Sequence, residues 1–207
     1  MTACPQYVEG AAVRPEGKRP HALLLLDRDG VINVDHGYVH RPEGTQWVEG
    51  IFRLATVAIN SDVGIVVCTN QAGIGRGLYS DAEFLSYTGW VHQQFEANDT
   101  PILRTYYCPH HKEAISDEYV IDCFCRKPNP GMLLSALDDF DVPASRCLMI
   151  GDKQTDLDAA KAAGVGSLLC DSNDLSPLMG QVGDWIAMLA VPSELDGVSS
   201  SVIKSPS

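Results

Sequence analysis

The sequence predicts an α/β protein built on a doubly wound parallel sheet, and three observations carry that expectation. Along the 207 residues, apolar runs of strand length alternate with segments whose apolar residues recur at helical spacing. The run Ala-Leu-Leu-Leu-Leu before Asp27 is apolar at every position, as a strand buried on both faces is. Several such runs end at polar residues, namely Asp27 and Asp29, Thr69, and Asp152 with Lys153, and the carboxyl edge of an open sheet is where α/β proteins bind ligands.

Taken in order, residues 1–20 carry Pro5, Gly10, Pro15, Gly17 and Pro20 without periodicity and are expected to be a flexible leader. The first strand leads to Asp27, and residues 35–42 follow as an irregular rim over its end. Residues 49–60 place Ile51, Leu54, Ala55 and Ala58 on one helical face, and residues 63–68 form the second strand, ending at Thr69, Asn70 and Gln71. The Gly73-Ile-Gly-Arg-Gly77 segment lacks dinucleotide-motif spacing and is expected to be a flexible loop. Ser80 and Glu83 form a capping box for a helix whose stripe is Phe84, Thr88, Val91 and Phe95. A strand over 102–107, a helix over 131–140, a strand over 147–150, a helix over 156–163 and a short strand over 167–170 complete the pattern. One domain over 21–196 results, and the serine-rich residues 197–207 are expected to be disordered.

Composition is that of an ordinary globular chain, 45% hydrophobic and 20% charged, with a formal net charge of −12. That balance disfavours nucleic acid and anionic membranes as partners. No apolar run reaches the ~20 residues that span a bilayer, so a cytoplasmic protein is expected. Among the seven cysteines, Cys68, Cys147 and Cys170 lie in strand-like runs and read as small core residues.

Asp27, Asp29 and Asp152 brought to one crevice would repel one another, which calls for a hard divalent cation such as Mg²⁺. Lys127 and Arg126 would balance a phosphate, Lys as a point charge and Arg as a fork. Carboxylates, metal and a basic clamp together indicate phosphoryl transfer. In that chemistry Asp27 is the nucleophile, Asp29 two residues on is the general acid and base, and Thr69 and Lys127 steady the phosphoryl group. Separately, Cys108-x-His110 and Cys123-x-Cys125 lie on one segment and offer the four ligands of a closed structural Zn²⁺ site, with His111 competing with His110. A disulfide reading is weaker, because a Cys-x-Cys bridge is strained. Cys125 abuts Arg126 and Lys127, so a zinc-stapled loop would hold both cations in place.

Leu-Asp-Arg-Asp-Gly-Val-Ile-Asn, Thr69-Asn70, Lys127 and Gly-Asp-Lys-x-x-Asp resemble the four motifs of the haloacid dehalogenase (HAD) superfamily of aspartate-nucleophile phosphatases. The resemblance implies a metal held by the Asp27 carboxylate, the Asp29 main-chain carbonyl and Asp152, with Asp156 in support. The rim Asp-His-Gly-Tyr-Val-His, Tyr-Tyr-Cys-Pro-His-His and Cys-x-Cys-Arg-Lys-Pro are similar, more narrowly, to the heptose 1,7-bisphosphate 7-phosphatase family. That implies substrate contacts from Asp35, His36, Gly37 and Tyr38, from Thr69, Asn70, Gln71 and Ala72, and from Arg126 and Lys153. The gaps between motifs leave no room for a large cap domain. A capless, monomeric phosphatase acting on a small phosphorylated sugar is therefore expected. Two alternatives stand beside it: the related histidinol-phosphate phosphatase, and a zinc-loop binding module without catalysis.

Overall fold

A computed structural model describes residues 5–10 and 19–190. The expected disordered tail and most of the expected leader lie outside them. The centre is a six-stranded sheet of β1 (Gln6–Glu9), β2 (Ala22–Leu26), β3 (Val63–Asn70), β4 (Ile102–Cys108), β5 (Cys147–Gly151) and β6 (Gly166–Leu169), in the order β1-β4-β3-β2-β5-β6. All pairings are parallel except that of β1 with β4. The chain runs outward from β2 through β3 to β4 and then returns to β5 on the other side of β2. β2 is thus the switch point, where adjacent loops diverge and leave a crevice.

Strand residues alternate between two apolar layers. Leu24, Leu26, Ile65, Val67 and Ile150 pack toward α1 (Ile51–Asn60), α3 (Asp81–Glu96) and α6 (Met179–Leu189). Leu23, Leu25, Val66, Cys68 and Met149 pack toward α4 (Gly131–Phe140) and α5 (Gln154–Ala162). Every residue of β2 is fully buried, as its unbroken apolar run requires. α3 begins with the expected capping box, in which the Glu83 N–H donates to Ser80 Oγ at 3.2 Å and the Ser80 N–H to Glu83 Oε2 at 2.9 Å. Cys68, Cys147 and Cys170 are buried core thiols.

Two expectations are corrected, and one helix adds to the expected elements. Residues 6–9 are not a featureless leader but an edge strand, Gln6 facing Tyr107 and Glu9 facing Arg104. Its alternating exposure reflects one face on the protein and one in water, a pattern too short to stand out between Pro5 and Gly10. The Gly73–Gly77 segment is not a loose loop. It holds the short helix α2 (Ala72–Gly75), whose end is fastened by the Arg76 N–H donating to the Ala72 carbonyl at 3.0 Å. α6 was not expected at all, although Leu178, Val182, Trp185 and Leu189 are spaced as one helical face and pack on the core.

His92 of α3 is buried, its Nε2 2.7 Å from Thr105 Oγ1 of β4, and burial pushes its imidazole down to about 4. The unfolded chain therefore takes up the proton more readily than the folded one between those values. Stability from this group is complete above the ordinary value near 6.5 and falls as the pH drops toward 4. Urea unfolding across that window is expected to show about 3 kcal/mol lost in the wild type that His92→Gln does not lose, since each pKa unit is worth ~1.4 kcal/mol.

Candidate active site

The carboxyl ends of β2, β3 and β5 and the segment after the cysteine cluster converge on a cavity of about 640 Å³. Asp27 follows β2, its backbone N–H donating to the Ile150 carbonyl at 2.9 Å, and Oδ1 accepts the Arg28 N–H at 2.7 Å. Lys127 reaches in from the opposite side, and its Nζ lies 3.0 Å from Asp27 Oδ1 and 2.5 Å from Asp156 Oδ1. It also donates to the Cys68 carbonyl at 2.7 Å, so every proton of the ammonium has an acceptor. Burial alone would lower the Lys127 pKa, but Asp27 and Asp156 hold it above its ordinary value. Burial pushes the Asp27 carboxyl up; Lys127 pulls it back, while Asp156, Asp29 and Asp152 push it further.

Two glycines allow the acids to approach so closely. Gly30 has φ +91°, and a Cβ there would lie 2.3 Å from Asp152 Oδ2. At Gly151 a Cβ would lie 2.1 Å from Asp156 Cβ. Asp156 is itself anchored by the Lys153 N–H, 3.0 Å from Oδ2, at the start of α5.

Asp29 is held from three directions. The buried Arg28 guanidinium donates to it through Nε and Nη2, Asn33 Nδ2 donates at 3.0 Å and Gln71 Nε2 at 3.1 Å. Arg28 lies over the rings of Phe84 and Tyr87, 5.8 and 5.1 Å from their centroids. Gln71 Nε2 also donates to Thr69 Oγ1 at 2.9 Å, and its Oε1 accepts from Tyr79 at 2.5 Å. Asn70 pairs with the backbone of Lys127 in both directions, Nδ2 to the carbonyl at 3.0 Å and Oδ1 from the N–H at 3.1 Å.

Asp27, Asp29, Asp35, Gly37, Tyr38, Thr69, Asn70, Gln71, Ala72, Arg126, Lys127 and Lys153 all line this one cavity. Lys153 Nζ lies 3.0 Å from Asp35 Oδ2 and 3.3 Å from Asp152 Oδ2. The carboxylates of Asp27, Asp152 and Asp156 lie close enough to share an ion, Asp156 being the acid expected in support of Asp27 and Asp152. The Asp29 carboxylate is not one of the three: it accepts from Arg28, Asn33 and Gln71 and still lines the cavity. Asp152 lies beside the cavity without lining it, and His36 stands away from it, its Nε2 3.3 Å from Gln46 Oε1. Sequence reasoning missed Arg28, Tyr79 and Thr155. Only Arg28 carried a signal, as the residue between the two aspartates that must point into the protein.

The second cluster comprises Cys108, His110, Cys123 and Cys125, all buried and close enough to hold one ion. The Cys123 sulfur is 3.3 Å from those of Cys108 and Cys125, and His110 Nδ1 is 3.5 Å from Cys108 Sγ. His110 is the histidine grouped with the three sulfurs, whereas His111 Nδ1 accepts the Glu113 N–H at 3.1 Å. Cys108 and Cys123 are free thiols. The cluster is tied to the cavity: Arg126 Nη1 donates to the His110 carbonyl at 3.0 Å and Asn129 Nδ2 to the Cys123 carbonyl at 2.9 Å.

An aspartate at the switch point, a lysine from a later loop and acids after β5 define a HAD-like hydrolase, and residues 124–181 match the HAD-hydrolase-like family model. The D-glycero-β-D-manno-heptose-1,7-bisphosphate 7-phosphatase of Vibrio cholerae is 46% identical over 144 residues, 70% of this chain and 77% of that one. The D-glycero-α-D-manno-heptose-1,7-bisphosphate 7-phosphatase of Burkholderia mallei is 45% identical over 150 residues, 72% and 79% of the two chains. Among solved structures, the heptose bisphosphate phosphatase of B. bronchiseptica, complexed with magnesium and phosphate, superposes with a TM-score of 0.64 at 31% identity, covering 72% of this chain and 79% of that one. This chain belongs to the heptose 1,7-bisphosphate 7-phosphatase family, and it is a phosphoric monoester hydrolase.

Removing one acid of the lysine bridge leaves a buried charge under-compensated. Asp156→Ala is expected to lower the unfolding free energy by about 3 kcal/mol, read by urea denaturation. A loss below ~1 kcal/mol would mean that the bridge is not formed in solution.

Proposed function

We propose that this chain is a Mg²⁺-dependent phosphatase that removes the C7 phosphate of D-glycero-D-manno-heptose 1,7-bisphosphate through an aspartyl-phosphate on Asp27. The observation that carries the reading is the buried Asp27–Lys127–Asp156 bridge in a cavity also lined by Asp29 and Lys153. The substrate comes from the names of the relatives.

The residues present suit a hard cation. Asp152 Oδ1 is buried without a hydrogen-bond partner, and the five acids Asp27, Asp29, Asp35, Asp152 and Asp156 outnumber the four cations Arg28, Arg126, Lys127 and Lys153 around them. The Asp27 and Asp152 carboxylates and the Asp29 carbonyl would hold Mg²⁺, which supplies charge neutralisation for the phosphoryl group. Asp27 attacks phosphorus, forming the carboxylate–phosphorus bond as the ester oxygen–phosphorus bond breaks. Asp29 gives the leaving oxygen its proton. Asp29 then takes a proton from water as that water attacks phosphorus, which frees inorganic phosphate and restores Asp27. Lys127 keeps Asp27 oriented and ionised, the Thr69 hydroxyl steadies the phosphoryl oxygens, and Lys153 and Arg126 exchange protein partners for substrate.

The Cys108, His110, Cys123 and Cys125 set is suited to a structural Zn²⁺, with two of its members adjoining Arg126. Thiolate ligation requires a reducing compartment, which fits a cytoplasmic enzyme. Among the described residues no helix is long and apolar enough to cross a membrane. The cavity is lined by residues of a single chain, and a monomer suffices for this reading.

Phosphate release with Mg²⁺ from both anomers of the bisphosphate, and from histidinol phosphate, tests the substrate. One heptose anomer is expected to be preferred, and Asp27→Asn to lower kcat by roughly 10⁴-fold or more. Preference for histidinol phosphate would overturn the substrate reading while leaving the fold and nucleophile intact. Reduced protein is expected to carry about one zinc per chain by metal analysis, lost in Cys108→Ser, because the four ligands form one closed site.

A further inference from the structure

The rim residue Tyr38 separates two cavities, the one that holds Asp27 and a neighbour of about 620 Å³ lined by His36, His40 and Arg41. Its backbone has φ 55°, a left-handed conformation that a residue with a side chain keeps only when its surroundings impose it. The surroundings are specific. The Asp35 carboxylate accepts the Gly37 N–H at 2.9 Å, His40 Nδ1 lies 2.7 Å from the Tyr38 carbonyl, and the Tyr38 hydroxyl accepts from Arg76 Nη1 at 2.5 Å.

Arg76 lines neither cavity. It sits just after α2 and reaches two ways, Nη1 to Tyr38 and Nη2 to the carboxylate of Glu113 in the segment between the two halves of the cysteine cluster. That segment is docked on α2, with the Ile115 N–H donating to the Gly75 carbonyl at 2.8 Å. Gly77, at φ +66°, leaves room for Ile115, whose Cδ1 would lie 2.4 Å from a Cβ there. One guanidinium thus joins the rim, the end of α2 and the cysteine-cluster segment around the mouth of the cavity.

We propose that Arg76, held by Glu113, is a positioning residue that sets substrate selectivity by fixing Tyr38 as the wall of the cavity on the side away from the reacting phosphate. This rests on the phosphatase reading above. With no cap domain among the described residues, the wall has to come from loops, and a loop orders a substrate only if it is itself ordered beforehand. The clasp would act on the half of a sugar bisphosphate that does not react. A small aryl phosphate, which does not extend that far, would not sense it.

The test compares wild type, Arg76→Ala, Arg76→Lys and Glu113→Gln on heptose 1,7-bisphosphate and on p-nitrophenyl phosphate, alongside amide hydrogen exchange of residues 36–41 and 113–119. Arg76→Ala is expected to raise KM for the bisphosphate about tenfold, the equivalent of one lost charged hydrogen bond, with kcat within about twofold. Both constants for p-nitrophenyl phosphate stay at wild-type values, Arg76→Lys recovers part of the KM loss, and Glu113→Gln moves in the same direction. Exchange is expected to quicken in both segments in Arg76→Ala. Unchanged KM for the bisphosphate, equal losses on both substrates, or unaltered exchange in the rim would overturn the proposal. A wild-type enzyme without preference for the bisphosphate would instead overturn the function reading, and the exchange result would then decide the clasp by itself.

Discussion

The ammonium of Lys127, buried between Asp27 and Asp156 and capped by the Cys68 carbonyl, ties together four parts of the chain that are distant in sequence. An ammonium can sit there only if each proton meets an acceptor and its charge is matched, because an unmatched buried charge costs several kcal/mol. Much local structure follows from that requirement. Asn70 grips the backbone of Lys127 on both sides, Gly151 leaves space for Asp156, and Gly30 leaves space for Asp152 beside them. The Lys127 ammonium also lowers the cost of keeping Asp27 charged in a site where burial and Asp156 oppose its ionisation.

The cysteine cluster extends this logic outward. Arg126 and Lys127 follow Cys125 directly, and the segment carrying them is anchored through the His110 and Cys123 carbonyls. A cation bridge delivered on an unrestrained loop would lose much of its value to ordering, and these hydrogen bonds restrain the loop at its base. The rim shows the same design on the opposite side, where Asp35, His40 and Arg76 hold Tyr38 in a backbone conformation it would not choose alone.

The parallel strands were legible because a strand buried on both faces is apolar along its length, a mark that β2, β3 and β5 carry up to their polar ends and that β4 breaks at Arg104 and Thr105. β1 was not, since a four-residue edge strand half in water looks like loop, and its pairing with β4 is a long-range contact. α6 was overlooked though its spacing was present, and α2 was hidden because glycines in a four-residue helix carry no periodicity. At the site, motif spacing located nearly every residue around the cavity, because strand ends in this topology must converge. It could not reveal that Arg28 turns inward to hold Asp29, that Asp156 shares Lys127 with Asp27, or that His36 turns away, because those depend on side-chain directions set by packing.

The most direct test of the account is to quench the enzyme during turnover of the bisphosphate with Mg²⁺ and reduce it with borohydride, which converts an aspartyl phosphate to homoserine. Trypsin cleaves after Arg28, so Asp27 and Asp29 fall on different peptides for mass spectrometry. The account predicts homoserine at position 27 only, and only in the presence of substrate. Modification at Asp29, or none at either aspartate while phosphate is being released, would contradict it.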